Sequence, residues 1–240
     1  MAATASAQKV SSTTYVKERS HTQWYVRLGM SINNAAGAGD ILDAIKTDED
    51  CEDVSAGSKV GMALDFGFQK NIGKSGLYWG MELGIGSRGA SMTEKFPGDD
   101  EYPAGKNKGH FSSWNVKYSP FTFGYKYALT DDIKLDGHIG AFVSYDFSGK
   151  TKFSWGDGDE EELSFSEIKD KYDFQCFDAG MQIGIGVWWK KFNLDFTYQR
   201  GFVPAATVYT ESYEGTGYYY DMVENELKSS NFMIRLGYAF

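Results

Sequence analysis

From Trp24 to Ile32 the side chains alternate: Trp24, Val26, Leu28, Met30 and Ile32 are apolar, while Tyr25, Arg27, Gly29 and Ser31 between them are polar, charged or small. A period of two puts every second side chain on one face of an extended segment, so the pattern predicts a strand with one apolar face. It returns at Val60, Met62, Leu64, Phe66 and Phe68, and after the turn Asn71-Ile72-Gly73-Lys74 at Leu77, Trp79, Met81, Leu83 and Ile85. Such a pair reads as a hairpin. A fourth segment, about 112–127, is less regular, since Pro120 removes a ladder donor and predicts a bulge. Past Thr130-Asp131-Asp132 come Leu135, Ile139, Ala141, Val143, Tyr145 and Phe147. Three more follow, at Ala179–Trp189, Phe192–Tyr198 and Phe232–Phe240, which makes eight predicted strands.

The predicted connections fall into two classes. After the second, fourth and sixth strands they are a few residues long, whereas after the others they span about 33–56, 89–111, 149–171 and 203–229. Short and long connections therefore sit at opposite ends of one up-and-down structure. A strand of about 11 residues, at about 3.3 Å per residue and tilted about 40°, rises about 28 Å, enough for the ~25 Å apolar band of an outer membrane. A soluble eight-stranded barrel would have to hold the apolar face inside, yet that face carries Trp24, Trp79, Phe66, Phe121 and Phe196, too bulky for so narrow a lumen. The opposite face mixes charges with Gly61, Gly67, Gly80, Gly84, Gly86, Gly140, Gly180, Gly184, Gly186 and Gly237, as a crowded polar interior requires. The large face is predicted to point outward.

Composition agrees with a strand-rich chain, with Gly 28, Tyr 16 and Phe 17 beside only 4 Pro. Mean hydropathy is −0.43, and no run approaches the roughly 18 apolar residues of a membrane helix, which says nothing against a barrel wall. Ala5-Ser6-Ala7 before Gln8 has the small-x-small form of a signal-peptidase site. Residues 1–7 are accordingly read as the remnant of a signal peptide, 8–21 as an N-terminal segment and 22–240 as the barrel domain.

With eight alternating segments, short and long connections in turn, the stretches DAGMQIGIGVWW and NLDFTYQRGF, and the closing NFMIRLGYAF, the chain resembles the small outer-membrane β-barrel (porin-like) family of Gram-negative bacteria, particularly its eight-stranded OmpA/OmpX-type members. The resemblance covers about 22–240. It implies an all-β, eight-stranded up-and-down antiparallel transmembrane β-barrel with short periplasmic turns and long extracellular loops, integral to the bacterial outer membrane. It also implies an assembly signal in the last strand, with Tyr238 and Phe240 matching the aromatic pattern that the barrel-assembly machinery recognises. Outer-membrane lipids and lipopolysaccharide are the expected surroundings. No cofactor is implied.

The inward face carries six acids, Asp65, Glu82, Asp136, Asp146, Asp178 and Asp195, and six bases, Arg27, Lys59, Arg88, Lys126, Lys134 and Arg235. Opposite charges in a narrow lumen are expected to pair and plug it, the alternative being a proton or ion path. Asp195 and Arg235 fall roughly level on the last two strands, with Arg27 nearby, and predict an ion pair at the seam. Catalysis has little support: His138 faces inward, His110 lies in a long connection and His21 precedes the first strand, so none is set beside a serine and a carboxylate at the membrane rim. Gly84-Ile85-Gly86 and Gly184-Ile185-Gly186 are strand glycines without the helix a nucleotide loop needs.

The four long connections hold 23 acids and 9 bases, more negative than the whole chain's −9. Such a surface excludes nucleic acid as a partner. The run Asp157–Glu162 is read as a solvated charge run rather than a divalent-cation site, and Tyr213, Tyr218, Tyr219 and Tyr220 either meet an extracellular ligand of unknown identity or cover the mouth. Cys51 and Cys176 fall at the same end of an exported chain, which allows a disulfide between them. The expectation is a non-enzymatic surface or structural barrel with a plugged lumen; a narrow channel for ions or small solutes is the alternative, and a lipid-modifying enzyme is third.

Overall fold

A computed structural model of the chain describes residues 22–38, 53–96, 105–156, 158–172, 174–213 and 220–240. Its strands are β1 (Thr22–Ala36), β2 (Asp53–Asn71), β3 (Leu77–Phe96), β4 (Gly105–Ala128), β5 (Ile133–Ser154), β6 (Glu160–Ser164), β7 (Phe177–Trp189), β8 (Phe192–Tyr213) and β9 (Tyr220–Ala239), and helix α1 (Phe165–Tyr172) follows β6. All neighbours are antiparallel. β1 pairs with β2 on one side and with β9 on the other, from Tyr25↔Ala239 to Ala36↔Lys228, and this seam closes the sheet. The ring contains eight strands, because β5 passes directly to β7 and β6 pairs only with the top of β5.

Two of the expected long connections are largely strand. β3 and β4 stay paired out to Phe96↔Gly105, and β8 and β9 out to Tyr213↔Tyr220. The alternating signal fades near Gly89 and Gly201, beyond which apolar residues no longer keep to every second position, but the backbone ladder needs no apolar face to continue. The expected connection 149–171 likewise contains the end of β5, all of β6 and most of α1. At the other end the turns are short, and Lys190, with φ 54°, adopts a left-handed conformation in the link between β7 and β8.

The large apolar residues point outward: Leu28 is 62 % exposed and Leu236 67 %, whereas Asp195 is 0 % and Arg235 1 % exposed. β4 is bulged at Pro120, with its register against β5 shifting between Tyr118 and Phe121. The extra residue reverses the parity of the strand: Trp114, Val116 and Tyr118 face out before the bulge, and Phe121, Phe123 and Tyr125 after it. One consequence is that Lys117 turns inward and is buried.

Inward glycines make space for large interior side chains. A Cβ on Gly124 would strike the Tyr78 phenol ring, and one on Gly237 would lie 2.9 Å from Arg27 Cγ. Gly137, on the outer face opposite Tyr125, would meet nothing within 4 Å. Gly124→Val is therefore expected to destabilise the barrel by about 1–3 kcal/mol, while Gly137→Val stays within about 0.5 kcal/mol of wild type. Urea unfolding of the two variants in lipid vesicles tests this, and equal losses would show that inward space is not what selects glycine at 124.

Candidate functional site: the barrel lumen

At the short-turn end the bore is filled by aromatic side chains. Tyr25 and Trp188 meet edge to face with centroids 6.2 Å apart, beside buried Ala239. Lys126 lies half-buried over the Trp188 ring, its Nζ 4.3 Å from the centroid, and donates to Gln23 Oε1 at 2.9 Å. Asp136 accepts from the Tyr78 hydroxyl at 2.7 Å and from Trp188 Nε1 at 3.0 Å, so both of its oxygens are engaged.

The middle of the bore holds three cations, Arg27, Lys117 and Arg235, and three carboxylates, Asp65, Glu82 and Asp195, all buried. Arg235 is the hub. Its Nη1 donates to Asp65 Oδ2 and Glu82 Oε1, both at 2.8 Å, while Nε and Nη2 reach Asp195 Oδ1 at 2.9 and 2.6 Å. Arg27 donates to Glu82 at 3.0 Å and to Asn193 at 2.9 Å, and its Nη2 stands 3.7 Å from Asp195. Lys117 is 3.1 Å from Asp65 and 3.7 Å from Glu82. Positive and negative charges balance, which is what burial of so many ionised groups demands. His138 sits alongside, 3.2 Å from Thr197 Oγ1 and 3.7 Å from Asp195.

Nearer the mouth Arg88 bridges the bore from β3 to β5 and β7. Its Nε reaches the Asp146 oxygens at 3.0 and 3.1 Å, Nη2 also contacts Asp146, and Nη1 reaches Asp178 at 3.1 Å. Ser113 donates to Asp146 at 2.9 Å and Ser229 to Asp178 at 2.5 Å. Between the two ionic layers is a void of about 30 Å³, reached by Asn115, Lys117, Arg88 and Gln199, enough for water-sized occupants only.

Of the twelve charges predicted to face inward, the structure thus brings Arg27, Asp65, Glu82, Asp195 and Arg235 into one layer and Arg88, Asp146 and Asp178 into another, with Asp136 and Lys126 below them. Lys59 and Lys134 are half-buried and belong to neither layer; Lys59 Nζ lies 3.5 Å from the Phe111 carbonyl oxygen. Lys117 was missed, because a strictly alternating reading through Pro120 sends it outward. Tyr238 and Phe240 are outward and exposed; Tyr238 packs on Phe192 at 5.4 Å, and Phe240 N–H donates to the Trp24 carbonyl at 3.1 Å. Cys176 is buried near the mouth, and Cys51 lies outside the described residues, as do His21, Tyr218 and Tyr219.

A closed ring of antiparallel strands with apolar residues outside and charges inside inverts the arrangement of a soluble barrel. The family model described as outer membrane protein beta-barrel domain matches residues 7–206. The chain belongs to this family. It is accordingly an outer-membrane β-barrel protein of the Gram-negative type, and its exposed apolar belt is the lipid-facing surface. Aromatic residues gather toward the short-turn end of that surface, with Trp24 on Phe66 at 5.4 Å, Phe68 on Trp79 at 5.3 Å and Trp189 by Phe192 at 6.2 Å, where a barrel meets the periplasmic interface. No curated protein matches the chain. Among solved structures it is similar to Ail of Yersinia pestis in complex with the heparin analogue sucrose octasulfate (14 % identity, 91 % of this chain and 99 % of that one, TM-score 0.35). It is also similar to OprG from Pseudomonas aeruginosa (12 %, 91 % and 95 %, TM-score 0.38) and to the outer membrane protease OmpT from Escherichia coli (11 %, 91 % and 96 %, TM-score 0.38).

Proposed function

We propose that the protein is a non-enzymatic surface barrel whose lumen is closed, so that its dealings with the exterior take place at the mouth and not through the wall. The observation that carries this reading is the pair of ionic layers spanning the bore. Arg235 on β9 joins Asp65 on β2, Glu82 on β3 and Asp195 on β8, while Arg88 on β3 reaches Asp178 on β7. An ion crossing the lumen would have to part both layers and then the Tyr25–Trp188 floor, and each step exposes buried charge without its partner. His138 is packed against Thr197 and Asp195 well inside, away from any lipid ester.

The refolded protein in a planar bilayer is expected to show no unitary current in potassium chloride, and lipid extracts incubated with it are expected to come back unmodified. Steady single-channel steps would replace this reading with a narrow channel. Deacylated or otherwise altered lipid would replace it with an enzyme.

A further inference from the structure

Above the Arg88 layer the mouth of the barrel encloses a cavity of about 240 Å³. Its upper walls are apolar: Phe111 from β4, Phe153 from β5, Ile168 from α1, Phe174 and Leu227. The roof is built rather than draped. Ile168 and Leu163 are each only 4 % exposed, Phe174 packs on Phe111 at 5.0 Å and on Phe165 at 5.9 Å, and Glu162 on β6 is clasped by Lys152 at 2.9 Å. These side chains bury one another and still leave a space among them. Walls facing a void lack dispersion contacts that an apolar occupant would restore.

The space has a size and a polarity. An apolar cavity of about 150 Å³ takes a benzene ring, so this one takes a body of about ten heavy atoms. Both charged groups lining it already have counterions: Arg88 at the floor is held by Asp146 and Asp178, and Lys228 at the side by Glu226 at 2.5 Å. Lys59, beside the lining rather than part of it, differs. Its stem runs past Gly89, with Cδ 2.8 Å from where a Gly89 Cβ would stand, and its Nζ ends 3.5 Å from the Phe111 carbonyl oxygen. Gly89 and Phe111 both line the cavity, and Lys59 has no carboxylate partner among the described residues. The floor, with two carboxylates to one guanidinium, repels a second anion, so an anionic head belongs at the Lys59 side. One ammonium without a carboxylate partner matches a single negative charge rather than a polyanion.

We propose that this cavity is a binding site for a small monoanionic amphiphile, a medium-length alkyl or aryl carboxylate, with its tail among Phe111, Phe153, Ile168, Phe174 and Leu227 and its head at Lys59. The site lies above the ionic layers and does not depend on their being closed. A barrel that conducted would overturn the closed-lumen reading and leave this one standing.

The probes are octanoate, 1-octanol and octylamine, titrated calorimetrically into the full-length protein in nanodiscs, with empty nanodiscs of the same lipid as reference. Octanoate is expected to bind saturably at one site per barrel, at least tenfold tighter than octylamine. Lys59→Gln is expected to weaken octanoate about tenfold, to the level of 1-octanol, and to leave 1-octanol unchanged. Ala206→Trp and, independently, Ala90→Phe fill the cavity from opposite walls and should abolish binding of both, with heat-modifiable gel mobility showing that each variant is folded. If octanoate gives no saturable heat beyond the empty nanodiscs, it only partitions into the bilayer and the site is refuted. The site is equally refuted if binding survives in whichever cavity-filled variant folds. If octylamine binds as well as octanoate, or Lys59→Gln changes nothing, the head-group assignment is refuted.

Discussion

Arg235→Met is expected to cost the barrel about 3–5 kcal/mol, because it takes the hub from a buried cluster and leaves unequal charge behind. In the wild type three cations face three carboxylates, all buried, and Arg235 touches every one of the acids. Without it Arg27 and Lys117 remain against Asp65, Glu82 and Asp195. The loss falls unevenly. Glu82 keeps Arg27 at 3.0 Å and the Tyr25 hydroxyl at 3.2 Å, and Asp65 keeps Lys117 at 3.1 Å. Asp195 keeps only the Thr197 hydroxyl at 2.8 Å, with Arg27 and His138 each 3.7 Å away. Adding Asp195→Asn to Arg235→Met should therefore recover more stability than adding Asp65→Asn or Glu82→Gln, although any of the three restores the charge balance. Reversible urea unfolding in vesicles gives the coupling energies of these double mutants. Strictly additive losses, or equal recovery from all three, would show that the cluster does not act as one network.

How much of this was legible in the chain depends on which neighbours a residue has. Asp195 and Arg235 fall level because β8 and β9 are consecutive, and counting along the two alternating strands brings them together; the register pairs them directly. Arg88 and Asp178 lie on β3 and β7, which do not touch in the sheet, and only the curvature of the closed ring carries one to the other across the bore. Strand counting cannot supply that. The bulge at Pro120 is legible from the missing N–H, but its consequence for Lys117 is not, since a strand read with unbroken alternation hides a change of parity. The mouth was the least legible part. Alternation reports a surface with lipid on one side, and β6, α1 and the upper hairpins stand in water, where Ile168 and Phe174 are apolar for the sake of a local roof.

Arg88→Met should cost as much as the change at Arg235, about 3–5 kcal/mol, although Arg88 has fewer partners. What decides the size is what remains. Removing Arg235 leaves two other cations in its layer, whereas among the described residues Asp146 and Asp178 have no cation but Arg88 within ion-pair distance. Asp146 is wholly buried and would keep the Ser113 hydroxyl alone, and Asp178 would keep Ser229. Lysine at 88 cannot fork across two carboxylates, so Arg88→Lys should recover only part of the loss. Asp146→Asn should cost more than Asp178→Asn, about 3 against about 1–2 kcal/mol, since Asp146 takes Arg88 through Nε and Nη2 and Asp178 through Nη1 alone. The order Arg88→Met, Asp146→Asn, Asp178→Asn, from most to least damaging, is to be read from urea midpoints at constant slope. An Arg88→Met barrel within about 1 kcal/mol of wild type would mean that Lys59, half-buried in the wall above, swings down to neutralise the two acids. In that case the double variant Arg88→Met with Lys59→Gln should lose the full amount, and the same lysine could not be free to hold a carboxylate at the mouth.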